Sequence, residues 1–498
     1  MAKKIITESS RTLMEYRLIP GYTAKECDNT NISLRTSFVF SENNEKKYWL
    51  NIPIISAAMQ SVSGAKMGIE LAKFGGAAVI YCSQAISTQA QIVRSIKNHK
   101  AGFVKPQIMK SNMTVEEMYK IRKESGHSTF PVVDENDKFV GLISKWDYDI
   151  SLHANTLIQD RMIPKETIEV GINIKDLKRA NQILLESHKS VLPILDNKGK
   201  IESMVFRKDI NDQLDFPLEI HDEKKRLIAA AAINTHDFKI RVKALAKEEV
   251  DVIVIDSSDG HSQYQADTIE WINNNYPKIP VIGGNIITRE GFRFLVEAGV
   301  KAVKVGMGGG SICITQEQKG TGRGLATSII EVVKARDEYF KETGKYIPIC
   351  ADGGVTSTKD ITIALALGAD YVMMGRYFAR MDESPTEKIV VNNRVMKPYW
   401  GEGSARAQNW KLRRYNQSKF VEGVEGLVEY AGHLRDNLEE TLSKIKSSMC
   451  TCGAMNITEF HKKAVLEVVS ALSIREGKPH DIYLSTENPE FNDLKNTE

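Results

Sequence analysis

Residues 302–315 read Ala302-Val-Lys-Val-Gly-Met-Gly-Gly-Gly-Ser-Ile-Cys-Ile-Thr315, a short apolar run followed at once by a glycine-rich loop with one cysteine. Glycines let a chain turn sharply and let a ligand approach closely. Successive backbone N–H groups in such a loop can bind an anion. Taken alone, the loop is explained equally well as a turn around an inert buried thiol or as the seat of a nucleophilic thiolate.

Apolar runs of this kind recur along the chain and alternate with amphipathic helical patterns such as 288–298 and 358–367. A run that is apolar throughout is typical of a strand buried on both faces of a parallel sheet. Alternation of strand and helix indicates an α/β fold. A count of eight runs favours a (β/α)8 TIM barrel over an open, doubly wound sheet. The runs are residues 52–56, 77–81, 227–231, 250–255, 279–283, 302–306, 346–350 and 371–375.

Polar and glycine-rich motifs follow several of these predicted strands directly. A (β/α)8 barrel builds its active site from the loops at the carboxyl ends of its strands, so these motifs and the cysteine loop are expected around one site. Five such signals at strand ends argue against a chance arrangement. The other four motifs are Asp256-Ser-Ser-Asp-Gly260, Gly283-Gly-Asn285, Asp352-Gly-Gly354 and Gly375-Arg376.

The second and third predicted strands are separated by far more than one helix. The extra segment, about residues 103–212, contains a weak internal repeat in which Thr129-Phe-Pro-Val-Val-Asp134 matches Val191-Leu-Pro-Ile-Leu-Asp196. The pair resembles a tandem CBS module, a fold often used to bind adenine or guanine nucleotides; a purely structural insertion is the alternative. The predicted domains are a first barrel segment at 1–102, the CBS module at 103–215 and a second barrel segment at 216–498.

Composition narrows the class of protein. The 498 residues are 42% hydrophobic and 26% charged, with a net charge of +3, which gives no argument for a nucleic-acid or membrane partner. We find no signal-peptide core and no membrane-length apolar run, so a cytoplasmic setting is expected. Six scattered cysteines do not form a disulfide framework, and Cys450 and Cys452 are better explained as free thiols than as a redox or metal pair. The others are Cys27, Cys82, Cys313 and Cys350.

The motifs together resemble the inosine-5'-monophosphate (IMP) dehydrogenase family. The resemblance covers nearly the whole chain and implies oxidation of IMP to XMP with NAD+ by a homotetramer that uses a monovalent cation such as K+. The separate resemblance of the insertion to a CBS pair makes a purine nucleotide its expected ligand. The motifs are the cysteine loop, Asp256-Ser-Ser, Gly283-Gly-Asn285, Lys319-Gly-Thr-Gly-Arg-Gly324, Ala351-Asp-Gly-Gly354, Tyr399-Trp-Gly-Glu-Gly-Ser404 and Arg414-Tyr415.

The resemblance assigns the chemistry to a small set of residues. Cys313 is the implied nucleophile, which attacks C2 of the purine and forms a thioimidate that water then hydrolyses. Cys350 also ends a predicted strand, but it lacks a glycine-rich loop and is expected to be a packed core thiol. Arg414 and Tyr415 match a catalytic pair on a mobile flap at about 384–429, and Thr315 and Glu422 match a proton relay.

Binding residues carry over position by position. Asp352 matches the carboxylate that binds the ribose hydroxyls, and Glu422 is also expected against the base. His236 stands where some members have an arginine, and a surface histidine is the alternative. The other phosphate and base contacts are Met59, Ser311, Gly353, Gly354, Gly375, Arg376, Tyr399, Gly401, Glu402 and Gly403. The cofactor contacts are Asp256, Ser257, Ser258, Asn285, Gly306, Tyr264 and His236.

A potassium site is implied by the same resemblance. It would use the carbonyl oxygens of Gly308, Gly310 and Cys313, together with residues from a neighbouring subunit. The family has Glu-Gly-Gly at those residues, and this chain has Glu476-Gly477-Lys478.

Two alternatives remain open for the function. GMP reductase, which uses NADPH, shares the barrel, the cysteine loop and the phosphate site, but it needs no hydrolytic flap. A nucleotide sensor with an inactive barrel is the second alternative. Arg414-Tyr415 and the CBS insertion argue against the first. The second is opposed by four intact residues, Cys313, Thr315, Asp352 and Arg414.

Overall fold

Eight parallel strands close into a barrel in the computed structural model, which describes residue 2 and residues 4–42, 48–99, 104, 106–125, 128–207, 215–224, 226–408 and 420–480. Each strand pairs with the next along the chain, and the last pairs with the first where Met373 lies opposite Ile55. The strands are β1 Ile54–Ser56, β2 Ala77–Ile80, β3 Ala230–Ile233, β4 Val252–Ile255, β5 Val281–Ile286, β6 Ala302–Val305, β7 Ile349–Asp352 and β8 Tyr371–Met374.

The barrel confirms the predicted fold class, and all eight apolar runs contribute a strand. Seven strands are buried along their whole length, and the eighth, β7, is buried up to its last residue, Asp352. This burial explains why the runs show no polar alternation. Strands β5 and β7 begin later than predicted, directly after Pro280 and Pro348. Proline has no N–H to donate to a neighbouring strand, so each strand starts at the residue that follows.

Helices follow the barrel strands and are ended by recognisable caps. The Thr288 hydroxyl accepts a hydrogen bond from the Gly291 N–H (3.1 Å), and Gly299 ends the same helix with φ +99°. In the described part of the chain, no helix is both long enough and apolar enough to cross a membrane. The helices are Ala65–Lys73, Ile86–Asn98, Phe238–Lys247, Gln263–Asn275, Arg289–Ala298, Thr315–Lys319, Leu325–Thr343, Thr358–Ala366, Arg376–Ala379, Ala405–Gln408, Leu434–Thr451, Ile457–Lys463 and Ala471–Glu476.

Three small sheets accompany the barrel. The largest is antiparallel and lies in the segment after β8. Its central strand ends with Tyr399 and Trp400. Its strands are Ile389–Val391, Arg394–Trp400 and Glu425–Glu429. The other two sheets pair Tyr16–Ile19 with Val465–Val468 and Thr36–Ser37 with Trp49–Leu50, and a 3-10 turn covers Leu13–Glu15.

A second compact unit comprises residues 72–75 and 94–228, and the barrel unit comprises the rest of the chain. The second unit contains two halves in which a short strand, a helix and an antiparallel strand pair follow in the same order, so the predicted repeat is visible in the topology. Its identity as a CBS pair and the predicted boundaries at 103 and 215 remain predictions. The halves are Met109–Lys110, Val115–Ser125, Thr129–Val133 and Phe139–Ser144, then Gly171–Ile172, Leu177–Glu186, Val191–Leu195 and Ile201–Phe206.

Each half of the second unit has its own apolar core. Phe130 and Ile143 belong to the first core and Leu192 and Val205 to the second. A third cluster includes Phe139 and Leu195, one from each half, and so joins them. The remaining elements of the first half are the helix Ile150–His153, the 3-10 turns Ile158–Asp160 and Lys165–Thr167, and the strand Ile163–Pro164.

Candidate active site

The cysteine loop begins at Gly306, directly after β6, and only glycine fits there. Gly306 has φ +133°, and a Cβ atom on it would lie 1.9 Å from the carbonyl oxygen of Asp352. Real side chains cannot approach that closely, so the absence of a side chain lets the loops after β6 and β7 touch. The loop then carries Cys313, half-buried, to the wall of a cavity.

A chain of hydrogen bonds leads away from the cysteine. The Cys313 Sγ atom lies 3.2 Å from the Thr315 hydroxyl, which donates to Oε2 of Glu422 at 3.0 Å. Thr315 and Glu422 are both buried. Backbone hydrogen bonds hold this arrangement, because the Ile314 N–H donates to the carbonyl of Glu422 at 3.0 Å. A thiol, a hydroxyl and a carboxylate in this order can move a proton from the cavity into the protein.

Lys304 was missed by the sequence analysis, although it points into the site from β6. Its ammonium lies 2.7 Å from Oδ2 of Asp352 and also donates to the side-chain oxygen of Asn285. The Asn285 amide donates to the same Asp352 oxygen at 2.9 Å and to the Gly306 carbonyl at 2.7 Å. A lysine within an otherwise apolar run was the available signal, because a buried ammonium requires a partner.

The loops after β7 and β8 form a second wall that is rich in glycine. Gly353 and Gly354 have φ of +88° and +76°, in the left-handed region that favours glycine. A Cβ atom on Gly375 would lie 2.8 Å from the Tyr399 hydroxyl, so this hydroxyl sits directly over the Gly375 backbone. Burial raises the pKa of Tyr399 well above its ordinary value, so its hydroxyl stays protonated. Arg376 is exposed at the rim.

Glu402 is hydrogen-bonded to residues in the loops after β1 and β2. Its Oε1 atom accepts a hydrogen bond from the Gln60 N–H at 2.7 Å, and its Oε2 atom accepts one from the Ser83 hydroxyl. The Gln60 side chain also accepts from the Trp400 ring N–H at 2.9 Å. This buried network positions Gly401 and its neighbours at the cavity. Gln60 and Ser83 were not predicted, because neither lies in a recognisable local motif.

One cavity contains most of the predicted site residues. The structure does not bring Tyr264 or His236 to its wall: the Tyr264 side chain is 74% exposed, and His236 is exposed at the start of the helix after β3. The predicted residues on the wall are Met59, Asp256, Ser257, Ser258, Asn285, Gly306, Gly308, Gly310, Ser311, Cys313, Thr315, Asp352, Gly353, Gly354, Gly375, Arg376, Tyr399, Gly401, Glu402, Gly403 and Glu422.

The other cysteines do not reach the cavity. Cys350 is fully buried in β7, and burial raises the pKa of its thiol well above the ordinary value, as expected for a core thiol. Cys450 and Cys452 carry free thiols. Cys313 is therefore the single cysteine on the described wall of the cavity.

Some predicted residues cannot be assigned a place at the site. Arg414 and Tyr415 lie outside the described residues. Glu476, Gly477 and Lys478 are exposed at the end of the helix Ala471–Glu476 and do not line the cavity of their own chain.

The chain is similar to known proteins over almost its whole length. A model of the IMP dehydrogenase / GMP reductase domain matches residues 10–480. Inosine-5'-monophosphate dehydrogenase of Tritrichomonas foetus is 45% identical over 489 residues, which cover 96% of this chain and 97% of that protein. Inosine-5'-monophosphate dehydrogenase of Aquifex aeolicus is 37% identical over 455 residues, with 90% and 92% coverage.

A solved structure supports the fold. GMP reductase from Trypanosoma brucei, in complex with guanosine 5'-monophosphate, superposes with a TM-score of 0.80 at 24% identity and covers 96% of this chain and 98% of its own. The family model and the relatives at 45% and 37% identity span almost all of the sequence. The chain therefore belongs to the IMP dehydrogenase / GMP reductase family.

Proposed function

We propose that the chain oxidises IMP to XMP with NAD+ and water. The observation that carries the proposal is the thiol of Cys313 on the wall of the cavity, 3.2 Å from the Thr315 hydroxyl, which in turn donates to the buried Glu422. The IMP substrate is supported by two relatives named inosine-5'-monophosphate dehydrogenase that cover at least 90% of the chain.

Covalent catalysis by Cys313 divides the reaction into two steps. In the first, the thiolate sulfur forms a bond to purine C2, and the hydrogen on C2 then leaves with its electron pair. NAD+, when bound, supplies the acceptor for that pair. In the second, a water oxygen bonds to C2, the C2–S bond breaks, and the proton from the water leaves through a base. The products are XMP, NADH and one proton.

The walls of the cavity support a proposed placement of the substrate. Oδ2 of Asp352 is occupied by Lys304 and Asn285, while Oδ1 makes no hydrogen bond to any described residue and is the atom proposed for the ribose hydroxyls. Backbone N–H groups in glycine-rich loops and a guanidinium suit a phosphate. These would come from Ser311, Gly353, Gly354, Gly375 and Arg376, with Tyr399 as a protonated donor.

The base would lie against Met59, Gly401, Glu402, Gly403 and Glu422, which all line the cavity. Both carboxylate oxygens of Glu402 already accept hydrogen bonds from Gln60 and Ser83. Glu402 is therefore proposed to hold the segment in place, and its backbone neighbours are proposed to contact the base.

The donor set around Asp256 fits NAD+. Asp256 is a buried carboxylate on the cavity wall beside Ser257, Ser258 and Asn285, and such groups can bind ribose hydroxyls and a carboxamide. We place the nicotinamide ribose there. Tyr264 and His236 would contact the adenine only outside this cavity, since both are exposed.

Hydrolysis of the adduct needs a base. Arg414 with Tyr415, on the flap predicted from the resemblance, is proposed for that role, and the Thr315–Glu422 pair is proposed as a second route for the proton. A potassium ion is proposed at the carbonyl oxygens of Gly308, Gly310 and Cys313. The loop fits such an ion: the Gly310 carbonyl accepts one hydrogen bond, from the Cys313 N–H at 3.0 Å, and has a second lone pair.

The proposal also covers the oligomeric state of the protein and the ligand of the second compact unit. We expect a homotetramer in the cytoplasm in which Glu476, Gly477 and Lys478 serve the potassium site of a neighbouring copy. A purine nucleotide is the proposed ligand of the second compact unit.

The decisive experiment mixes the full chain with IMP and NAD+ and follows NADH and XMP. We expect turnover by the wild type and by Cys450→Ala, which changes a free thiol outside the cavity, and none by Cys313→Ala. A covalent nucleotide adduct on Cys313 should be visible by mass spectrometry. Consumption of NADPH with GMP instead would favour GMP reductase, and the absence of both reactions would favour an inactive sensor.

A further inference from the structure

Lys319 contacts the proposed relay from the outside. Its ammonium lies 3.5 Å from Oε1 of Glu422, whose other oxygen, Oε2, accepts the hydrogen bond from Thr315 at 3.0 Å. The Glu422 side chain is 5% exposed and the Lys319 side chain 39% exposed. The pair therefore joins a buried carboxylate to a cation at the surface.

The local fold explains why both residues reach the same carboxylate. Thr315 and Lys319 are the first and last residues of the helix Thr315–Lys319, and residues four apart lie on one face of a helix. Gly320 follows with φ +63° and ends the helix, so the face terminates at Lys319. Exposed Gln318 precedes Lys319 and makes no side-chain hydrogen bond or ion pair with any described residue.

The opposite charges of Lys319 and Glu422 explain why this contact affects the proposed relay. A buried carboxylate without a cationic partner is unfavourable, and its side chain turns towards other partners. It is then no longer placed to accept a proton from Thr315. We infer that Lys319 is a positioning residue for adduct hydrolysis: by binding Oε1 of Glu422, it keeps Oε2 turned towards Thr315. The inference rests on the proposed function, because it concerns the second step of that reaction.

The test is made in an Arg414→Ala background, so that the proposed flap arginine does not mask the relay. Rapid mixing with IMP and NAD+ separates the first NADH burst from the later hydrolysis. We expect Lys319→Met to leave the burst unchanged and to slow hydrolysis about tenfold or more, as expected when a charged partner is lost. The Cys313 adduct should accumulate. Lys319→Arg should retain hydrolysis within about twofold because it keeps the charge.

Two controls make the result specific. Gln318→Met introduces the same side chain on the same helix and should change neither step. In a Glu422→Gln background Lys319→Met should have no further effect, because coupled residues are not additive. Equal slowing of both steps, unchanged hydrolysis, or full additivity with Glu422→Gln would overturn the role of Lys319 while leaving IMP oxidation intact. Failure of the unmodified chain to form XMP would overturn both proposals.

Discussion

The ammonium of Lys304 lies 2.7 Å from Oδ2 of Asp352 inside the barrel, where the lysine side chain is 5% exposed and the aspartate 21%. Lys304→Met leaves this carboxylate with the neutral Asn285 as its remaining partner. We expect a loss of about 2 kcal/mol in the free energy of unfolding, below the ~3–5 kcal/mol of a fully buried pair because Asp352 keeps contact with solvent. KM for IMP should rise.

Urea unfolding and initial rates measure these two effects. Lys334→Met is the matched control, since Lys334 is 56% exposed and its ion pair with Glu331 lies at the surface. Such a pair contributes at most ~1 kcal/mol. Equal losses in the two variants would contradict a structural role for the Lys304–Asp352 pair.

Gly306→Ala should disable the cysteine loop. The new Cβ would lie 1.9 Å from the Asp352 carbonyl oxygen, so the loop must move away from β7. A displacement of that order at a reacting group costs about 100-fold in rate, and we expect NADH production to fall by at least that factor.

Gly320→Ala provides the comparison for Gly306→Ala. Gly320 also has a positive φ, +63°, but a Cβ there meets nothing within 4 Å. Its cost should be about 1 kcal/mol of stability, with the NADH rate retained. An active Gly306→Ala variant would refute the close packing of the two loops.

The buried side chain of Lys397 should make the stability of the fold depend on pH. Burial lowers its pKa from 10.5 to about 8, while Asp382 and Glu383 act in the opposite direction. Between these two values the unfolded chain binds more protons than the folded chain, so stability rises with pH across this window. The Lys397→Met variant has no ammonium at this position, so its stability should not show this rise with pH. Relative to the variant, the wild type should gain up to about 3 kcal/mol between about pH 7 and pH 10.5.

Urea unfolding at both pH values checks the Lys397 prediction. The Lys444→Met control, at a 59% exposed position, should track the wild type. A constant difference between wild type and Lys397→Met at all pH values would show that Lys397 does not titrate in this range. The buried ammonium is held by the Met381 carbonyl at 2.5 Å, so the variant also loses that contact at every pH.

Potassium removal should slow turnover. If carbonyl oxygens of Gly308, Gly310 and Cys313 hold the ion, exchanging KCl for choline chloride should lower the steady-state rate of NADH formation. Lys478→Gly, which restores the Glu-Gly-Gly pattern expected from the resemblance, should increase the potassium stimulation because it removes a competing positive charge. Equal rates in both salts for both variants would exclude the proposed ion.

The barrel and the outline of the cavity could be predicted because they depend on local patterns. Buried parallel strands are continuous apolar runs, and their carboxyl ends are marked by glycines and short polar residues. Cys313, Asp352 and Asn285 were found in this way. Arg414 and Tyr415 remain predictions, as does the cation site.

The side-chain partners could not be predicted, since they come from distant parts of the chain. Ser83 and Glu402 are 319 residues apart and form a hydrogen bond only when the segment after β8 reaches the loop after β2. Neither hydrophobic periodicity nor a sequence motif predicts such a pair. Lys319 shows the same limit: its place in a glycine-rich motif was evident, but its contact with Glu422 depends on the isolated β-bridge between Cys313 and Gly423, which are 110 residues apart.

The closure of β8 onto β1 has a consequence for synthesis of the chain. Of the barrel strands, β1 and β2 leave the ribosome first, and β3 follows only after about 150 further residues, roughly 8–30 s later at ordinary rates of translation. Until β8 emerges, β1 has an unpaired edge, which is a template for wrong pairing with another nascent chain. Chaperone dependence during expression is therefore expected to concentrate on this early fragment, and the barrel can close only after Tyr371–Met374 is made.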